Sequence, residues 1–474
     1  MTFSLTNDQQ NALNGILQDI EKPAARVVLC GYAGTGKTVT TAALVSELRK
    51  LGLMVIVATP THKARSQVEK ALKANGAEDF ECVTVHRLLG LKQVRDYKTG
   101  KESFKADSLG KNLLSEGICN RAYDDFLKND HDDCGSWSNY KKRNSICIDV
   151  VIVDETSMLH EELYRCLISE AGTRPVVFVG DDQQLLPVKE DRVCAAFVEA
   201  DSIYKLSHVL RHDGAILNLA TATRKMPIGR ARFTNAIGGG SKVVSYWRRD
   251  EWMQSLLEMM ASQEAIYDPD YCRALAFTNK DVENLNRRIH LQRYGNDAQP
   301  YMQGMTCLTA DAIPDPWGGG PLFNSTIEIL IKSAEIDLFQ MPHDDSCEDL
   351  WRTWLLEAQP IEGGIVKEIR VLDESEERRW RESQKQFADI AKACENETKR
   401  KERWKMFFDR KDQVGKIQPA SALTIHKSQG STFKNVFLHW DIDGWNSVPS
   451  AQQNQLAYVG ITRASESLHV IKDR

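Results

Sequence analysis

The sequence predicts an α/β protein with parallel sheets in two halves, each half interrupted by an insertion. Three observations carry this. Arg26-Val27-Val28-Leu29-Cys30 is a short apolar run that enters a glycine loop and then a helical pattern over 39–51. A second apolar run, 146–153, ends in the adjacent carboxylates Asp154 and Glu155. A further series of strand-like and helical segments starts at Arg273 and resumes at Ala422 after a long polar interruption. Short apolar runs closed by polar loops and separated by helical patterns are the signature of buried parallel strands.

The chain has 474 residues, 42% hydrophobic and 27% charged. That is an ordinary globular composition, with chain enough for roughly two to four domains. The net charge of −5 does not decide on nucleic acid, because a groove can be basic within a mildly acidic protein. No apolar run approaches the ~18 residues that suggest a membrane span. Residues 1–8 lack the basic and apolar regions of a signal peptide. The 11 cysteines include no C-x-x-C pair, which fits reduced thiols and a cytoplasmic location. Cys119, Cys134 and Cys147 share a region, but at spacings that common zinc sites do not use.

In chain order, 5–22 reads as an amphipathic helix opened by Thr6 or Asn7. Gln9 in its first turn is either a surface residue or an amide able to read an adenine edge, since it donates and accepts at once. The loop Gly31-Tyr32-Ala33-Gly34-Thr35-Gly36-Lys37-Thr38 fits the pattern G-x-x-x-x-G-K-[ST]. Its N–H groups, with those of the helix start, have no intrahelical partner and can point at phosphate. Gly34, Thr35 and Gly36 shape the cradle, Lys37 would reach the β- and γ-phosphates, and the Thr38 hydroxyl would ligate Mg²⁺.

Residues 53–58 form a second apolar strand pattern, followed by Thr59-Pro60-Thr61-His62-Lys63-Ala64 and, later, Val83-Thr84-Val85-His86-Arg87. Polar loops after parallel strands are where such sheets put binding groups. From 90 to 145 the rhythm is lost. Tyr97-Lys98-Thr99-Gly100-Lys101 reads as a hairpin turn within 91–106. The paired carboxylates Asp154 and Glu155 then require a cation, which a Mg²⁺–nucleotide supplies. Asp154 would hold the metal, and Glu155 would orient and deprotonate the attacking water. The alternative is an exposed acidic turn.

A strand at 175–179 runs into Gly180-Asp181-Asp182-Gln183-Gln184. Residues 296–415 read as a second insertion. It opens rich in proline and glycine, includes short β-like runs such as 326–331, and ends in a charged helical stretch over 374–411. There Trp404 and Phe408 sit at i,i+4 beside Lys399, Arg400, Lys401 and Arg403. They form either core packing or a base-stacking platform. Strand 422–425 enters the glycine loop His426 to Gly430, and 456–464 is a helix ending near Arg463.

Taken in order, these segments resemble the motif series of superfamily 1 helicases. The phrases "LTNDQQNAL", "TPTHKA", "TVHRLL", "DETSM", "AFTNK" and "HKSQGSTF" are most similar to its RecD/Dda-like 5′→3′ branch, superfamily 1B. The resemblance implies two RecA-like P-loop NTPase domains with parallel sheets, each carrying an inserted subdomain. The boundaries expected are 1–89 and 146–208 for domain 1A, 90–145 for insertion 1B with a pin hairpin, 209–295 and 416–474 for domain 2A, and 296–415 for insertion 2B. It also implies ATP and Mg²⁺ as cofactors. Gln9 becomes the Q-motif glutamine, Gln184 the motif III glutamine, and Arg211 and Arg463 the arginines reaching the phosphates. Gly430 joins the nucleotide-binding residues.

Pro60, Thr61, His62, Thr84, His86, Thr424 and His426 are the implied DNA contacts, with Phe104 and Trp404 from the insertions. Leu186 stands where a proline is common, and His212 where glutamine is frequent. The expected activity is ATP-dependent 5′→3′ translocation on single-stranded DNA with duplex unwinding. The rivals are the same motor on RNA or displacing proteins, and a non-hydrolysing ATP-regulated DNA clamp. Glu155 with two arginines argues against the clamp. The expected partners are single-stranded DNA and single-strand/duplex junctions, with replication or recombination proteins beside them, no membrane, and a monomeric protein.

Overall fold

A computed structural model of the chain describes residues 5–78, 80–106, 112–116, 148–185, 190, 192–207, 214–226, 231–316, 320–343, 350–440 and 450–472. These residues form two compact units. One comprises 1–92, 106–249 and 428–474, the other 93–105 and 250–427.

The first unit is built on a six-stranded sheet of β1 (Arg26–Gly31), β2 (Val55–Thr59), β3 (Glu81–Thr84), β6 (Val150–Val153), β7 (Val176–Gly180) and β8 (Ser202–Leu206). The order is β3-β2-β6-β7-β1-β8 and every pairing is parallel. Both faces are covered, which is why these strands read as continuous apolar runs. Alternation divides them between two cores. Val28, Ile56, Val151, Val153 and Phe178 face one side. Val27, Leu29, Val57, Ile152 and Val177 face the other, under α1 (Asn7–Asp19) and α2 (Lys37–Lys50). The helices α3 (His62–Ala74), α4 (Val85–Leu88) and α5 (Glu161–Ala171) follow β2, β3 and β6.

The same unit holds four further strands, β9 (Ala236–Gly238), β10 (Ser241–Tyr246), β20 (Phe433–Leu438) and β21 (Ala464–Ile471). Here β20, β21 and β10 are parallel, and β9 closes the edge as an antiparallel partner of β10. Two helices, α6 (Ala215–Arg224) and α10 (Ser450–Thr462), pack against each other beside them. Strands β8 and β10 escape sequence reading. Only one β8 residue, Leu206, is buried, so the strand shows no apolar run.

In the second unit, β11 (Cys272–Ala276) and β19 (Ala422–Thr424) pair in parallel. Asn286 in α7 (Asn279–Tyr294) ties them down, donating to the Pro419 and Ala422 carbonyls. Beyond them lies a five-stranded antiparallel sheet. Its members are β12 (Thr306–Thr309), β15 (Glu328–Gln340), β16 (Leu350–Pro360), β17 (Lys367–Leu372) and β18 (Ile417–Pro419). A small ribbon joins β13 (Ile313–Pro314) to β14 (Pro321–Phe323).

The short β-like run expected at 326–331 is thus the start of a 13-residue strand. Its outer half is largely solvated and carries Glu335 and Asp337, which hides its length from an apolar reading. The charged stretch is two helices, α8 (Glu377–Ala393) and α9 (Glu397–Lys411), broken where Asn396 caps α9 by accepting from the Lys399 N–H at 3.1 Å. The expected hairpin is present as β4 (Leu91–Asp96) and β5 (Lys101–Ala106), and 93–105 belong to this second unit.

Candidate nucleotide site and nucleic-acid surface

The phosphate loop joins β1 to α2. Gly34 and Gly36 have φ of +83° and +79°, conformations that glycine takes without strain. Gly36 caps α2 without a side-chain bond, so the first-turn N–H groups are left for an anion. A Cβ on Gly31 would meet Thr35 Oγ1 at 2.6 Å, so the loop can close only over glycine there. The Lys37 ammonium donates to the Gly31 and Tyr32 carbonyls at 2.6 and 3.2 Å. Gln9 is buried. Its amide donates to the Thr35 carbonyl at 3.2 Å and accepts from the Thr6 N–H at 3.0 Å. It braces the loop from below, so the surface reading of Gln9 does not hold.

Asp154 directly follows β6 and is 7% exposed. Burial, then the charge of Glu155, pushes its carboxyl up to about 7. Glu155 has φ +55°, a left-handed conformation unusual for a non-glycine residue. It turns the chain into the short helix Thr156–Met158. The exposed-acidic-turn alternative fails on Asp154's burial. Among the described residues no cluster of three His, Cys, Asp or Glu could hold a metal alone. A buried aspartate beside a phosphate cradle fits Mg²⁺ bound jointly by Thr38, Asp154 and the nucleotide.

Asp181, fully buried after β7, accepts from the Gln183 N–H at 3.0 Å, and Gln184 Oε1 is buried without a partner among the described residues. Arg463 follows α10 and is 7% exposed. Its guanidinium donates to the Val459 and Ser431 carbonyls at 3.1 and 3.0 Å and to the Thr462 hydroxyl at 3.1 Å. Burial lowers its pKa, opposed by the charge of Glu155. A buried cation whose hydrogen bonds among the described residues go to carbonyls and a hydroxyl suits an incoming phosphate. Arg211 lies outside the described residues.

Three residues of this site had no role assigned from sequence. The Tyr458 hydroxyl donates to Asp181 Oδ2 at 2.8 Å and accepts from the Ala33 N–H at 2.9 Å. The Arg224 guanidinium stacks 3.3 Å over the Tyr32 ring. Tyr458 and Asp181 lie inside recognised motifs, but Arg224 carries no sequence signal.

Residues 4–239 match the AAA domain family, and 419–471 the UvrD-like helicase C-terminal domain. The chain is 26% identical, over 98% of both chains, to the ATP-dependent DNA helicase dda of Enterobacteria phage T4. This chain is a superfamily 1B helicase. It is also 29% identical to the ATP-dependent RecD2 DNA helicase of Deinococcus radiodurans over 187 residues, 39% of this chain and 19% of that protein. A Pif1 helicase from Bacteroides, solved with ADP-AlF3 and single-stranded DNA, aligns with TM-score 0.49 and 16% identity over 99% of this chain and 92% of that one. As a member of this family the protein is a nucleic-acid-dependent ATPase.

The helicase carries Pro60, Thr61, His62, Thr84 and His86 in its first unit, together with Gly430, whose φ is +72°. Thr61 caps α3 by accepting from the Ala64 N–H at 3.2 Å, and Thr84 caps α4 in the same way from Arg87. Burial pushes His62 down to about 4 and lowers His86. Both rings are neutral at pH 7 and offer hydrogen bonds and a flat face in place of charge. Thr424 and His426 lie in the second unit, where Thr424 accepts from the Lys427 N–H at 3.2 Å and burial lowers His426.

Trp404 is 4% exposed, packed on Phe407 and Phe408. It is core, and its ring is closed to a base in this structure, which removes the stacking-platform alternative. It also seats the hairpin: Gly100 has φ +70°, and a Cβ there would meet the Trp404 ring at 2.3 Å. Arg95 pairs with Asp412 and Glu102, Lys411 with Glu102, and Lys98 with Glu397, while Tyr97 packs edge-on to Phe408. Phe104 is 58% exposed.

Proposed function

We propose that this helicase moves 5′→3′ along single-stranded DNA and unwinds duplex at single-strand/duplex junctions. The observation that carries the reading is the split of the hydrolytic groups. Lys37, Asp154, Glu155 and Gln184 stand at the ends of one parallel sheet, and Arg463 stands between α10 and β21. A machine whose phosphate contacts come from two sheets can couple their approach to the state of the nucleotide.

Lys37 leaves the loop carbonyls to meet the β- and γ-phosphates. Glu155 orients the attacking water and takes its proton. Gln184 serves the γ-phosphate side, its amide N–H donating to phosphate and its unpaired oxygen accepting from the attacking water. Arg463 stabilises the charge of the transferring group. Thr38 and Asp154 would hold Mg²⁺, which supplies charge neutralisation on the phosphate oxygens. The helix-capping loops at Thr61 and Thr84, with neutral His62 and His86, suit gripping a strand. DNA as the track is supported by the likeness to the dda and RecD2 DNA helicases, and the 5′→3′ polarity by the resemblance of the motif phrases to the RecD/Dda-like branch. The hairpin 91–106 is the strand separator in this reading.

The test is unwinding of matched duplexes bearing a 5′ DNA tail, a 3′ DNA tail or a 5′ RNA tail, with and without ATP. ATP-dependent unwinding of the 5′ DNA tail alone is expected. Unwinding from the 3′ tail overturns the polarity, and preference for the RNA tail overturns the track. Strand affinity should also fall steeply with salt as counterions are released.

A further inference from the structure

We propose that Tyr458 is a positioning residue that couples occupancy of the phosphate loop to the placement of Gln184 and Arg463. The proposal rests on the ATP-hydrolysing reading of this site and adds a residue to it.

The phenol joins three segments through one oxygen. Its acceptor side holds the Ala33 N–H of the phosphate loop at 2.9 Å, and its proton goes to Asp181 Oδ2 at 2.8 Å. Tyr458 is 2% exposed and Asp181 fully buried, so water does not substitute for either bond. The second oxygen of Asp181 accepts from the Gln183 N–H, and the Asp181 carbonyl accepts from the Gln184 N–H at 3.2 Å. Asp181 thereby shapes the turn that presents Gln184. On the other side, Arg463 donates to the carbonyl of Val459, the residue after Tyr458. A displacement of the hydroxyl is passed to the glutamine through Asp181 and to the arginine through α10.

A second contact grips the same part of the loop. Arg224, at the end of α6, stacks on Tyr32, the neighbour of Ala33. The two helices are themselves joined, because Asn454, four residues before Tyr458 on the same face, donates to the Met226 carbonyl just past α6. The pair Tyr32-Ala33 is therefore held by α6 and α10 as one body.

Loop N–H groups are the donors that phosphate oxygens use. While Tyr458 holds the Ala33 N–H, phosphate competes with the phenol for it. When phosphate wins, the phenol keeps only Asp181, and α10 is released from its attachment to the loop. Loop occupancy is in this way converted into a shift of the helix that precedes Arg463.

The sign of this competition separates a positioning role from a merely structural one. In Tyr458→Phe the empty loop keeps an unsatisfied N–H, so ADP and ATP should bind about fivefold more tightly, the equivalent of one neutral hydrogen bond. At the same time kcat of DNA-stimulated ATP hydrolysis should fall about tenfold or more, because Gln184 and Arg463 are no longer set by the loop. ADP affinity, kcat and KM for ATP, and thermal unfolding are measured on the full chain.

Tighter binding with lower kcat supports the proposal. Weaker or unchanged binding overturns it, as does unchanged kcat. If the lone Asp181 charge prevents folding, Tyr458→Phe with Asp181→Asn removes that charge and carries the same two expectations. If the parent chain hydrolyses no ATP, the hydrolytic reading fails, and ADP affinity still decides whether Tyr458 competes for the loop.

Discussion

Arg95 Nη2 donates to Asp412 Oδ1 at 2.6 Å, joining residues 317 positions apart in the chain. The second guanidinium nitrogen reaches the other oxygen of the same carboxylate, so the pair is bidentate. Both side chains are largely shielded, at 23% and 22% exposure. With Lys411, Glu102 and the Phe408 ring, this pair locks the hairpin onto α9. A separating element must resist the force needed to part a base pair, and a two-stranded ribbon alone is only marginally stable.

Loss of this lock should uncouple unwinding from hydrolysis. Arg95→Ala is expected to leave single-strand-stimulated ATPase within about twofold while 5′-tail unwinding drops severalfold, since the lost coupling is on the order of 1 kcal/mol. Replacing 97–100 with a glycine turn should have the larger effect on unwinding. Paired ATPase and strand-separation assays decide it. Parent unwinding per ATP in both variants would move the separator elsewhere, to the 296–415 region.

Lys37→Ala should abolish ATP hydrolysis, and Glu155→Gln should retain ATP binding while stopping turnover. Nucleotide affinity and steady-state hydrolysis separate the two effects. Normal turnover by Glu155→Gln would mean that another group orients the water.

Arg463→Ala should lower kcat by about 10³-fold or more and weaken ATP binding much less, because its charge is needed most as the phosphoryl group transfers. The same guanidinium bonds the Val459 and Ser431 carbonyls, so the variant should also melt earlier. Arg463→Lys should recover little rate, since an ammonium cannot repeat three directed bonds. Equal losses in binding and rate would identify a ground-state ligand instead.

Asp154 sets a pH dependence. Burial, then the Glu155 charge, raises its carboxyl from 3.8 to about 7 in the folded, nucleotide-free chain. Between those values the folded state holds a proton that the unfolded state has lost. The stability from this group is therefore full below 3.8 and disappears as pH rises through about 7. The melting temperature of the parent should fall more steeply from pH 5 to 8 than that of Asp154→Asn. Binding of Mg²⁺–ATP at pH 6 should release on the order of one proton in the parent and none in the variant. Calorimetry in buffers of different ionisation heat measures this, and equal release in both would remove Asp154 from the metal site.

The local chemistry of this protein was legible in its sequence because it depends on short spacings. A glycine loop between strand and helix, carboxylates at a strand end and an arginine closing a helix are each specified within about ten residues. The parallel sheets follow from apolar runs that both faces must bury, as Val27 and Val28 show by serving opposite cores. Tertiary structure decided the rest. Trp404 and Phe408 at i,i+4 suit a core or a base platform equally well, and only the approach of Gly100 and Tyr97 closes that face. The Tyr458–Asp181 and Arg95–Asp412 bonds span 277 and 317 residues. No local propensity encodes such pairs, because they exist only once strand register and helix packing have brought the partners within hydrogen-bond distance. The left-handed backbone of Glu155 is equally silent in sequence, since the surrounding fold, and not the side chain, imposes it.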